Sequence, residues 1–87
     1  MLHFITGKVA FLSFLRHKFF NDSIIISGRA IETLIELNPQ FDDNEVFILQ
    51  KDYDLFPTRL NHLQVISSGD FVTLTLKLKA CRTWSDV

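Results

Sequence analysis

The feature that most constrains this chain is the regular alternation in FVTLTLKLKA, residues 71–80. Apolar side chains occupy every second position from Val72, and Phe71, two threonines and two lysines fill the positions between them. A period of two is typical of a strand with one dry and one wet face. A turn at Ser68-Gly69 and a short run at Leu63–Ser67 precede it, and together they predict an antiparallel hairpin.

The first half of the chain predicts two helices between short strands. Apolar residues, among them Phe11 and Phe14, share one face of a helical wheel over residues 8–20. A second apolar face follows over residues 29–37 and ends at Pro39, because the residue before a proline avoids helical geometry. β-branched or apolar runs predict strands at Leu2–Thr6, Ser23–Ser27 and Val46–Gln50.

These elements predict the fold class. We expect a single α+β domain over residues 1–87, because no linker, repeat or low-complexity segment divides the chain. The expected order is β-α-β-α-β-β-β. It would form a small two-layer structure with two helices on one face of a mostly antiparallel sheet.

The aromatic stretch FLSFLRHKFFND, residues 11–22, raises the question of a membrane or nucleic-acid contact. We expect its phenylalanines to pack in the core, because a small domain needs the large apolar area that aromatic rings bury. The polar side of the predicted helix carries Ser13, Arg16 and His17, which is too little charge for a helix at a membrane surface.

Composition predicts a partner. Of 87 residues, 47% are hydrophobic and nine are phenylalanine, but a chain this short buries only about 60–65% of the surface it exposes when unfolded. Apolar groups left over would be covered by a second copy or by another protein. The leading hypothesis is a non-enzymatic protein–protein interaction protein or a small regulatory protein that self-associates.

The candidate partner-binding residues lie in two places. The segment KDYDLFP, residues 51–57, mixes acidic residues with Tyr53, Leu55 and Phe56. It fits an exposed binding loop, and it also fits a linker whose Leu55 and Phe56 fill the core. Trp84, near the end of the sequence, is the fourth candidate, because tryptophan is enriched at interfaces.

The alternative hypothesis is a nucleic-acid-binding module. Lys77 and Lys79 on the wet face of the predicted last strand would continue into Arg82 and Trp84 as a basic strip that ends in a stacking ring. The net charge of −1 lacks the basic footprint of a dedicated nucleic-acid binder, so this hypothesis ranks second.

Catalytic, metal and cofactor sites are not expected. The three histidines are isolated, and Cys81 is the only cysteine. Cys81 with His62 is the one conceivable nucleophile and base, and no orienting acid is evident. Thr6-Gly7-Lys8 echoes the end of a phosphate-binding loop without its upstream glycine. Apolar runs too short to span a bilayer and a lone cysteine predict a cytoplasmic protein without a membrane contact.

Overall fold

The structure is a computed structural model that describes residues 1–17, 19, 21–41, 44–60, 63–78 and 80–86. Five strands and four helices alternate along the chain. In order they are β1 (Leu2–Ile5), α1 (Lys8–Leu15), β2 (Ser23–Ile26), α2 (Ala30–Leu37), β3 (Glu45–Leu49), α3 (Gln50–Tyr53), β4 (Gln64–Ile66), α4 (Ser68–Leu78) and β5 (Cys81–Trp84).

All five strands belong to one sheet in the order β4-β3-β2-β1-β5, and every neighbouring pair is parallel. The prediction of a mostly antiparallel sheet with two helices on one face is therefore wrong. A helix separates each strand from the next and carries the chain back to the end of the sheet at which the strands begin. Each new strand consequently runs in the same direction as the last.

The alternating segment is the origin of the error. Residues 71–78 belong to α4, and the last strand is β5 instead. A capping box starts α4: the Asp70 amide donates to Ser67 Oγ at 3.1 Å, and the Ser67 amide donates to the Asp70 carboxylate at 3.3 Å. The hydroxyls of Thr73 and Thr75 donate to carbonyls one turn earlier, so these β-branched residues are accommodated in the helix.

Strand order places the helices on two faces. From β1 to β4 each strand adds beside the last in one direction, and right-handed crossovers put α1, α2 and α3 on one face. The connection from β4 to β5 runs the opposite way, so α4 lies on the other face.

Two hydrophobic clusters follow from this arrangement. The larger lies between the sheet and the helices α1 and α2, and it includes Phe11 and Phe14. Both rings are buried, so the prediction that they pack in the core is confirmed. The smaller lies between the sheet and α4, with Leu2, Ile25 and Phe47 at its centre.

Candidate interaction surface

The sheet face beneath α4 is thinly covered. A helix is about 10 Å across, whereas the outer strands of a five-stranded sheet lie about 19 Å apart. Three sheet residues on this face, Phe4, Leu49 and Ile66, remain partly accessible although they pack against the smaller cluster. Parallel sheets are normally covered on both faces, so this side of the molecule has room for a further layer.

The outer side of α4 is apolar at its centre. Phe71 and Leu74 pack toward the sheet, and the Phe71 ring lies 4.9 Å from that of Phe4. Val72 and Leu76, one turn apart, point outward and are 55% and 73% exposed. We call these two residues, together with the accessible Phe4, Leu49 and Ile66, the α4 face.

Opposite charges lie at the two ends of this helix. Asp70 is in the first turn of α4 and Lys77 is in the last turn. They are seven residues apart, which is two helical turns, so they lie on the same side. Each charge also suits the helix dipole at its end. At 3.6 residues per turn, this charged side of α4 is not the side that carries Val72 and Leu76.

Sequence reasoning missed Val72 and Leu76 because it assigned them to the dry face of a strand. Two signals in the sequence favour the helix. Ser67 and Asp70 have the spacing of a capping box before an apolar run, and Phe71 and Leu74 have helical spacing.

The predicted loop residues have different environments. The side chains of Tyr53 and Phe56 are partly buried and pack against the larger cluster. Leu55 is 71% exposed. The structure thus separates the two interpretations of this segment by residue, since Phe56 contributes to the core and Leu55 lies at the surface.

Trp84 lies in the core and is only 8% exposed. Its ring contacts those of Phe14 and Phe19 at 5.5 and 5.9 Å between centroids. The Arg82 guanidinium carbon lies 4.1 Å from the centre of the indole ring. Little of the indole is therefore available to a protein partner or to a nucleotide base in this structure.

The residues of the predicted nucleic-acid strip do not lie on one strand. Lys77 is on α4 and Arg82 is on β5, while Lys79 is outside the described residues. The prediction of a strand that aligns these residues is therefore wrong, because Ser68–Leu78 is a helix. Nucleic-acid binding itself stays a prediction.

A buried hydrogen-bonded chain joins β1, β5 and the residue before β2. His3 is completely buried. The Trp84 indole Nε1 donates to His3 Nδ1 at 3.2 Å, and His3 Nε2 lies 2.8 Å from Asp22 Oδ2. The Met1 ammonium donates to the other carboxylate oxygen at 3.1 Å. The His3 bond, aided by the ammonium and opposed by burial, lowers the pKa of Asp22 from its ordinary value.

At the carboxyl ends of the strands, two acidic side chains accept hydrogen bonds from neighbouring backbone amides. Asp86 accepts from the amides of Ala10 at 2.7 Å and Val9 at 3.3 Å, so it occupies the N-terminus of α1. A β-carbon at Gly7 would collide with this carboxylate. The segment that echoed a phosphate-binding loop therefore already holds an anionic group at its helix, supplied by Asp86.

The second acidic group at this edge is the buried Asp52. It accepts from the Ser27 hydroxyl at 2.7 Å and from the Gly28 amide at 3.4 Å. These bonds fix the turn between β2 and α2.

Reactive groups are sparse in the part of the chain that the structure describes. No three potential ligands cluster there to hold a metal ion. Cys81 is exposed on β5, and His62 lies outside the described residues. Among the described helices, none combines the length and the apolar character needed to cross a bilayer.

Comparison of the sequence with protein-family models and with curated proteins assigns it to no family. No protein-family model matches this chain, and no curated protein is significantly similar to it.

Proposed function

We propose that this chain is a non-enzymatic protein-interaction domain that self-associates through the α4 face. The observation that carries the proposal is the exposure of Val72 and Leu76 on α4, the one helix among the described residues that lies on this face of the five-stranded parallel sheet. Burying this face would remove apolar surface from water and complete the layer that the opposite face already has.

The exposed apolar pair on α4 is suited to a second copy as the occupant. Two-fold symmetry brings the same surface of both copies together. If two α4 helices pack antiparallel about such an axis through their exposed apolar sides, Val72 of one copy faces Leu76 of the other. The helix dipoles also oppose each other in this arrangement. The net charge of −1 gives two copies little overall repulsion.

The size of the molecule is compatible with this interface. A standard interface buries about 800 Å² on each partner, roughly a seventh of the 5690 Å² that the chain exposes. The chain measures 31 × 29 × 28 Å, so a single face is broad enough for such an interface.

Solution mass tests the proposal. The molecular mass of the wild-type protein, measured by light scattering over a concentration series, should rise toward twice the 10.1 kDa of one chain. Leu76→Asp should raise the dissociation constant at least about tenfold, because a carboxylate would have to be desolvated at the centre of the interface. Leu55→Asp is the matched control, since Leu55 is equally exposed on another surface.

Val72→Asp tests the antiparallel arrangement. It would place a carboxylate against Leu76 of the other copy and should weaken association as strongly as Leu76→Asp. Lys77→Glu changes a charge on another side of the same helix and should leave association within about twofold. A wild-type monomer at high micromolar concentration would overturn self-association, and disruption by Leu55→Asp instead of Leu76→Asp would move the interface to the loop.

A further inference from the structure

The buried chain of Trp84, His3 and Asp22 fixes the protonation of the imidazole. An indole nitrogen can only donate a hydrogen bond. His3 Nδ1, 3.2 Å from Trp84 Nε1, must therefore be the acceptor and carry no proton. The proton resides on Nε2, which donates to Asp22 at 2.8 Å. The structure thus requires His3 in its neutral form with a single tautomer.

A second proton on His3 would remove this acceptor. The Trp84 N–H would then face an N–H of the imidazolium, and a buried donor would lose its partner. Bulk solvent is kept from the imidazole, because His3 is completely buried. Phe14 and Phe19 pack against it at 5.2 and 4.4 Å between ring centroids.

The charged groups around His3 oppose one another. Asp22, which precedes β2, favours an imidazolium, but the Met1 ammonium at the start of β1 already shares this carboxylate. On β5, the Arg82 cation lies over the Trp84 ring. After α1, the His17 ring lies 5.9 Å from that of Trp84 and is a further titratable group beside it.

Trp84 is the last residue of β5. Loss of its hydrogen bond to His3 would therefore affect the end of this strand. Asp86, two residues later, holds the amides at the start of α1. A displaced indole would move the end of an edge strand that pairs only with β1 among the described residues. The contact between Asp86 and α1 would loosen with it.

We propose that His3 is a proton-operated lock on the C-terminal strand. Neutral His3 holds Trp84 and keeps β5 and Asp86 docked against β1 and α1. Protonation of Nδ1 breaks the hydrogen bond from the Trp84 indole and releases the end of β5 from β1. This device is independent of self-association, because it acts through the face of the sheet opposite to α4.

Trp84 is the only tryptophan, so its fluorescence reports on the lock directly. As the pH is lowered from 8 to 5, the emission should shift in a single step if the lock operates. The step should coincide with the titration of the His3 ring nitrogens followed by NMR. Protection of the Ala10 amide against hydrogen exchange should fall at least about tenfold over the same step, while that of Ile26 in the central strand is retained.

Two variants identify the responsible group. His3→Phe removes both the acceptor and the proton, and its emission should be independent of pH in this range. His17→Gln removes the neighbouring histidine and should keep the wild-type step. If His3→Phe does not fold, ring-nitrogen spectra of the wild-type protein from pH 8 to pH 5 still show whether the emission step follows the protonation of His3.

Four results would overturn the proposal. They are a proton on Nδ1 at pH 8, a His3 that stays neutral down to pH 5, a His3 titration that leaves Trp84 emission and Ala10 protection unchanged, and a step that disappears in His17→Gln.

Discussion

Replacement of Ser67 by alanine tests why the alternating segment folds as a helix. The Ser67 hydroxyl accepts a hydrogen bond from the Asp70 amide, one of the donors that the first turn of α4 leaves unpaired. Loss of a serine N-cap costs about 1 kcal/mol. In a domain of this size, that loss lowers the melting temperature by about 4–8 °C.

The neighbouring serine is the matched control. Ser68 is also exposed, but it is the first residue of α4 and not its cap. Ser68→Ala should change the melting temperature by less than about 2 °C, because alanine is the better helix former. All variants should be compared by circular dichroism at one protein concentration, since self-association makes the melting temperature concentration-dependent. Equal effects of the two substitutions would refute the role assigned to the capping box.

Three further predictions concern the folded chain. Phe11→Ala should lower the free energy of unfolding by about 3–5 kcal/mol, because the ring is completely buried in the larger cluster. A decrease of less than about 1 kcal/mol, measured by urea unfolding, would contradict that packing. Gly28→Ala should also destabilise it, since Gly28 has φ +59° and a β-carbon there would lie 3.2 Å from the Thr6 carbonyl oxygen; Gly69→Ala, which has ordinary space around it, is the control in the same melting experiment. The pKa of Asp22 is lowered in the folded state, so its stabilisation is complete above its ordinary value of 3.8 and is lost as pH falls through the folded value. Melting temperatures of Asp22→Asn should therefore depend less on pH below about pH 4 than those of the wild type, and identical curves would count against the Asp22 contacts.

The sequence predicts the type and order of the first five elements but fails after β3. Helix α1 is shorter than expected, because it ends at Leu15 and the predicted helix covered residues 8–20. Strands β1, β2 and β3 and helix α2 lie within a residue or two of their expected bounds, because β-branched runs and a single helical period mark them. Residues 71–78 fit two periods at once. Every second residue is apolar, which favours a strand, and Phe71 and Leu74 also have the spacing of a helix that buries one side. The spacing of Ser67 and Asp70 as a capping box adds a second signal for the helix, but it is a local signal.

The candidate sites are harder to predict from sequence, because they depend on strand order. His3 and Trp84 are 81 positions apart and meet only because β5 pairs with β1. The exposure of Leu76 and the burial of Trp84 follow from the face of the sheet on which each connection lies. Strand order is a property of long-range pairing, and no periodicity within a segment encodes it.

Methyl NMR can locate the self-association surface in the wild-type protein. Spectra recorded over a dilution series report which side chains change environment as copies associate. If copies associate through the α4 face, the methyl signals of Val72 and Leu76 shift with concentration, and those of the equally exposed Leu55 do not. Shifts at Leu55 with none on α4, or no concentration dependence at any methyl group, would contradict association through this face.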